Sequence, residues 1–151
     1  KDSPWPLDDL LRALAKKCHH LHRLDLSGSF GVSEEALVGL VSALDELVSI
    51  SSSRVTNRVL QAAHQQDLLL EHLDVSEAQN LEWRHLTRFH ATLCSLRLRR
   101  CWPAMEGKQV KREFSQLVEL DVSENPFLGD TQLLQMIDLM PNLQRLNVSL
   151  C

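Results

Sequence analysis

Apolar residues fall at the first, fourth and sixth places of a nine-residue phrase that recurs along the chain, with polar residues between them. The clearest copy is Leu117-Val-Glu-Leu-Asp-Val-Ser-Glu-Asn125. Close variants are Leu21-His-Arg-Leu-Asp-Leu-Ser-Gly-Ser29, Leu70-Glu-His-Leu-Asp-Val-Ser-Glu-Ala78, Leu93-Cys-Ser-Leu-Arg-Leu-Arg-Arg-Cys101 and Leu143-Gln-Arg-Leu-Asn-Val-Ser-Leu-Cys151. A degenerate copy is Leu47-Val-Ser-Ile-Ser-Ser-Ser-Arg-Val55. The copies begin at Leu21, Leu47, Leu70, Leu93, Leu117 and Leu143, so the period runs 26, 23, 23, 24 and 26 residues. Alternation over so few residues predicts a short half-buried strand. Self-similarity at this period marks a repeat protein.

Between the strands the apolar spacing changes to that of a helix. Leu7, Leu10, Leu11 and Leu14 follow Pro4 and Pro6 and predict a helix over 7–17, either a cap on the first repeat or the tail of a larger N-terminal domain. In repeat one, Ser33 is placed to cap a helix whose first turn holds Glu34 and Glu35 and whose inner stripe is Leu37, Leu40, Val41 and Leu44. Repeat two offers a weak serine-rich strand, Thr56 as a cap, and Val59, Leu60 and Ala63 facing inward. Repeat three places Leu81, Leu86 and Phe89 at helical spacing, with Trp83 as helix packing. Repeat five uses Phe127, Leu128, Leu133, Leu134, Met136 and Ile137 before Pro141 stops the helix. Repeat four breaks the pattern: Pro103 and Gly107 interrupt any helix, and only Val110 and Phe114 look inward.

Strand, helix and strand in succession is the connection that parallel pairing requires. Helices are wider than the ~4.8 Å between strands, so stacked units curve with the strands inside. This pattern resembles the leucine-rich-repeat family over about residues 18 to 151, and its period is similar to that of the cysteine-containing subtype found in F-box substrate receptors. The matching segments are Cys18-His-His-Leu21, Val32-Ser-Glu-Glu-Ala-Leu37, Leu128-Gly-Asp-Thr-Gln-Leu133 and the cysteines at the ninth place, Cys101 and Cys151. In that family the ninth residue is Asn or Cys and bonds the turn backbone. Asn125 fits, whereas Ser29, Val55 and Ala78 depart. The resemblance implies an α/β leucine-rich-repeat solenoid, a horseshoe of about six repeats with a parallel concave sheet and convex helices. Residues 1–20 would be an N-terminal capping helix and 21–151 the repeats, with a possible truncation at the C-terminus.

Composition adds limits. A chain of 151 residues buries roughly 68–70% of its unfolded surface, enough for a core without staples. Aromatic residues make up only 5% of the chain, so that core is aliphatic. The formal charge of −4 gives no general argument for nucleic acid or an anionic membrane. No apolar run approaches the ~20 residues of a spanning helix. Cys101 and Cys151 hold one repeat place two strands apart, about 9–10 Å, beyond the roughly 7 Å reach of a disulfide. With Cys18 and Cys94 they read as reduced thiols of an intracellular protein, cytoplasmic or nuclear. The Asn147-Val-Ser149 sequon is a chance-level match.

Candidate chemistry follows from the strand register. The polar places form columns: Arg23, Ser49, His72, Ser95, Glu119 and Arg145; then Asp25, Ser51, Asp74, Arg97, Asp121 and Asn147; then Ser27, Ser53, Ser76, Arg99, Ser123 and Ser149. Arginine interrupts two columns in repeat four. Arg97 would lie between Asp74 and Asp121, where it neutralises an acidic ladder. In a second reading, Arg97, Arg99 and Arg100 join Lys108, Lys111 and Arg112 as a basic spot holding six of the sixteen Lys and Arg residues. Trp102 beside it is either an interface anchor or a gap filler.

Cys18, His19, His20 and His22 are zinc-ligand types, yet a helix-to-strand junction turns their side chains apart, and no metal or cofactor is expected. No strained nucleophile, oxyanion loop or phosphate loop is present, so no enzyme is expected. The expectation is a non-enzymatic protein-interaction module resembling the recognition arm of a ubiquitin-ligase receptor. Its rivals are an adaptor or inhibitor of the ribonuclease-inhibitor kind and an RNA-contacting leucine-rich domain. The binding face would be the concave sheet and the repeat-four loop, through Arg97, Arg99, Arg100, Trp102, Lys108, Lys111, Arg112, His72, Asp74, Glu119, Asp121 and Arg145. Nucleic acid and membrane are not the expected partners. Leu146 and Val148 have no closing helix after them, so the last strand edge is expected to be truncated or to dock a partner or second copy.

Overall fold

Three residues per repeat carry the sheet. A computed structural model describes residues 6–101 and 112–151. In order the elements are α1 (Asp8–Lys17), β1 (Arg23–Asp25), α2 (Glu34–Val41), β2 (Ser49–Ser51), α3 (Asn57–Gln65), β3 (His72–Asp74), α4 (Trp83–Leu86), β4 (Ser95–Arg97), β5 (Glu119–Asp121), α5 (Asp130–Ile137) and β6 (Arg145–Asn147). A short 3-10 turn, Thr87–Phe89, extends α4. The strands form one all-parallel sheet in the order β1-β2-β3-β4-β5-β6. This is a repeat-like α/β architecture.

Register follows the sequence columns without a slip. Arg23, Ser49, His72, Ser95, Glu119 and Arg145 pair in line, as do Asp25, Ser51, Asp74, Arg97, Asp121 and Asn147. The serine-rich β2 holds its place because pairing is a backbone matter. The carbonyls of His22, Val48, Glu71, Cys94 and Val118, the second residue of successive repeats, each accept two amides from the next repeat at 2.7–3.1 Å. A one-residue shift would turn every strand leucine to the wrong face.

Between those columns Leu24, Ile50, Leu73, Leu96 and Leu120 are buried and share one core with Leu37, Leu40, Val41, Val59, Leu60 and Ala63 of α2 and α3. The helices pack serially, α1 on α2, α2 on α3 and α3 on α4. Ser33 and Thr56 cap α2 and α3 by accepting from Ala36 and Val59. Gln132 reaches back to the Gly129 amide at 2.8 Å to start α5.

The apolar stripes are narrower than the spacing predicts. Leu10, Phe127 and Leu134 were expected inward and are exposed. On α1 Leu11 is buried, with Leu7 and Leu14 partly buried against the core beside it, and Leu10 is rotated off that stripe. On α5 the helix starts at Asp130, so Leu133 and Met136 meet the core; Leu134 lies on the other side and Phe127 precedes the helix.

Two devices were not read from the sequence. The buried carboxylate of Asp8 accepts from the Ser33 amide at 2.8 Å and the Ser33 hydroxyl at 2.7 Å, tying α1 to the cap of α2. The eighth place of each repeat except the second is left-handed, at Gly28 (φ 71), Glu77 (64), Arg100 (49), Glu124 (58) and Leu150 (62). Only Gly28 is free of the steric penalty an L side chain meets there.

Candidate functional site

The sheet face opposite the core carries no helix among the described residues, so its side chains are a consequence of register alone. Asp25, Asp74 and Asp121 each accept the amide of the serine two residues on, at 2.9, 3.0 and 2.9 Å, and Asn147 does the same for Ser149 at 3.1 Å. The recurring Asp-x-Ser is thus an Asx turn that ends the strand. That spacing was visible in the sequence. What hid the role was reading the aspartates as a column across the sheet rather than along each strand.

Arg97 lies between Asp74 and Asp121, as the register requires. Its ion pair, however, is with Glu119, at 2.9 Å. The same carboxylate takes Arg145 at 3.0 Å. One turn further on, Arg99 meets Glu124 at 2.6 Å, while Arg100 contacts Glu124 and, at 3.5 Å, Glu77. All three repeat-four arginines are therefore paired within the protein, by glutamates rather than by the flanking aspartates. Glu119 turns one oxygen to each arginine, whereas each flanking aspartate has its Oδ1 held by its own turn and Asp74 acts on Arg97 only through space.

The electrostatics agree. Arg145 and then Arg97 hold Glu119 below the usual carboxylate range, and Glu119 in turn raises Arg97. Arg99 and Arg100 lower Glu124. On the helix side the Thr56 hydroxyl, with Arg58, lowers Glu34. Burial pushes Asp121 up, but the bonds from Ser123 and Asn147 and the nearby Arg97 more than offset it. Glutamates depressed in the folded state stabilise above their unfolded value and lose that contribution as pH falls through the folded one. Below about pH 4.5, the ordinary glutamate value, the unfolded chain binds more protons and stability falls. Thermal melts from pH 7 to pH 3 should show this loss, and Glu119→Gln should flatten it. An acid limb unchanged by Glu119→Gln would show that the Glu119 pairs are energetically idle.

The remaining predicted site residues separate. His72 and Arg112 are exposed; Arg112 lies two residues before the buried Phe114. Trp102, Lys108 and Lys111 lie outside the described residues, as does Val110. Trp83 is buried and packs on Phe114 with ring centroids 5.6 Å apart. His20 and His22 both turn to Glu46, at 3.0 and 3.4 Å. Among the described residues no group of three such side chains is arranged to hold a metal, and no helix is long and apolar enough to cross a membrane. All four cysteines are free thiols. Burial pushes Cys101 up to about 12, so it is no nucleophile.

Three shallow depressions adjoin one another. One of about 330 Å³ lies over the strands between Asp25 and Arg145. A second, of about 420 Å³, shares Ser51, Asp74 and Arg97 with it and is walled by Ser27, Ser53, Ser76 and Phe30. The third, of about 570 Å³, shares Phe30, Ser53 and Glu77 with the second. Phe30 is 68% exposed between them. Its signal in the sequence was an aromatic residue in a turn, outside every apolar stripe.

The last strand differs from the others. Leu146 and Val148 are exposed, where Leu120 and Val122 at the same places one repeat earlier are buried, and Leu150 is exposed beside them. No protein-family model matches the chain, and a search of curated proteins finds no match. The site defines a class by its geometry alone: a repeat-built parallel sheet offering one open polar face.

Proposed function

We propose that the chain is a leucine-rich-repeat solenoid acting as a non-enzymatic protein-interaction module, its binding surface the open, concave face of the sheet. The observation that carries the reading is the continuity of two depressions along that face, sharing Ser51, Asp74 and Arg97, with a third over the turns beyond the strand ends, on a sheet whose backbone ladder repeats from β1 to β6. Rigid strands present those side chains, so little ordering entropy is lost on binding.

Support for the cysteine-containing subtype, and so for the recognition arm of a ubiquitin-ligase receptor, comes from the ninth place. Asn125 donates to the Leu98 carbonyl at 2.8 Å, and the Cys151 thiol donates to the Val122 carbonyl at 3.1 Å. Leu98 and Val122 are the same place in successive repeats, so Asn125 and Cys151 perform one task. Reduced thiols fit an intracellular setting.

Immobilised full-length protein should capture a defined partner set from lysate. Ser53→Arg with Ser76→Arg, which fill the second depression, should lose that set, while Arg88→Glu on the helix side should keep it. Equal capture by both variants would remove the sheet face from the function.

A further inference from the structure

We propose that the segment this face receives is cationic, with a lysine or arginine held at Asp74 and an apolar side chain laid on Phe30. The inference rests on the interaction-module reading and adds the chemistry of the partner.

Charge decides the sign. The arginines of repeats four to six on this face are committed to internal partners: Arg97 and Arg145 to Glu119, Arg99 and Arg100 to Glu124 and Glu77. Within these depressions an anionic ligand would have to compete with those carboxylates and leave them unpaired. Asp74 stands differently. Its Oδ1 accepts from the Ser76 amide at 3.0 Å, and among the described residues no cation lies within ion-pair distance of either oxygen. Arg97 on the next strand acts on Asp74 only through space and is itself held by Glu119, so an incoming ammonium or guanidinium gains a charge-assisted hydrogen bond at Asp74 without breaking an ion pair.

Shape places the second contact. Asp74 borders both the depression over the strands and the one at the strand ends. Phe30 forms a wall of the latter and of the next one. A chain segment running from the strands to the strand ends therefore passes Asp74 and then Phe30. Ser27, Ser51 and Ser53 along that path can donate or accept, which suits a peptide backbone.

The test is direct binding of two fluorescein-labelled nonapeptides to the intact protein by fluorescence anisotropy. One alternates Lys or Arg with Leu; the other replaces every basic residue by Glu. The basic peptide should bind, weaken with added salt, and weaken about 10-fold or more in Asp74→Asn and in Phe30→Ser. Asp74→Asn should fold, because Asn147 makes the same turn bond to Ser149 at 3.1 Å. Preference for the acidic peptide or for a single-stranded oligonucleotide, binding of neither peptide, or unchanged affinity in Asp74→Asn each overturns the proposal. If lysate capture still fails in Ser53→Arg with Ser76→Arg, the interaction module survives that result and only the cationic partner falls. If capture never depended on the face, both fall.

Discussion

Phe114→Ala is expected to destabilise the protein by about 3–5 kcal/mol, the range for deleting a buried aromatic side chain from a packed core. Phe114 is 0% exposed. It belongs to repeat four, whose described residues 112–118 lead into β5, and its ring is part of the shared core. Its ring meets Trp83 of α4 at 5.6 Å, and its amide is fixed to the Leu139 carbonyl at 2.7 Å. The backbone anchor resists collapse into the space left behind, which puts the cost towards the upper part of the range. Urea unfolding should show a lower midpoint at unchanged slope, and Trp83 emission should shift as its environment opens. The comparison is Phe127→Ala: that ring is 94% exposed, and its loss should stay within about 0.5 kcal/mol. Similar losses from both variants would mean that Phe114 does not hold repeat four together.

This contrast shows what the sequence could and could not say. Phe114 and Phe127 are both aromatic residues after a strand, and local spacing assigned both inward. Strand register was legible because alternation has a period of two, and a misplacement by one residue would expose every leucine. Helix faces were less legible because the helices are short: α4 has four residues and α5 eight, so one or two residues of phase error move Leu134 or Phe127 across the boundary. Arg97 was placed correctly between two aspartates, yet its pair is Glu119. The longer glutamate side chain and the turn bonds that hold Oδ1 of Asp74 and Asp121 decide that, and neither is a matter of register. Buried Asp8 was unreadable for a related reason, since its partner Ser33 lies 25 residues away across a helix contact.

Asn125→Leu should cost roughly 1–3 kcal/mol, and Asn125→Cys distinctly less. The Asn125 side chain is buried, and its amide nitrogen lies 2.8 Å from the Leu98 carbonyl, 2.7 Å from Val122 and 3.3 Å from Ser123. It thus ties the turn after β5 to the turn after β4. Leucine fills the volume but removes one donor from carbonyls that each keep another, the Cys101 amide for Leu98, the Cys151 thiol for Val122 and the Arg100 amide for Ser123, so the cost is that of the lost hydrogen bonds, about 0.5–1.5 kcal/mol each. Cysteine is smaller and a weaker donor, yet at the same place in the last repeat the Cys151 thiol reaches the equivalent carbonyl, that of Val122. A thiol at 125 can therefore recover the inter-repeat bond to Leu98 while giving up the bonds within its own turn. Chemical denaturation of the two variants orders them directly. If Asn125→Cys is as unstable as Asn125→Leu, the ninth place acts through volume alone, and the support that Asn125 and Cys151 lend to the cysteine-containing repeat subtype is withdrawn.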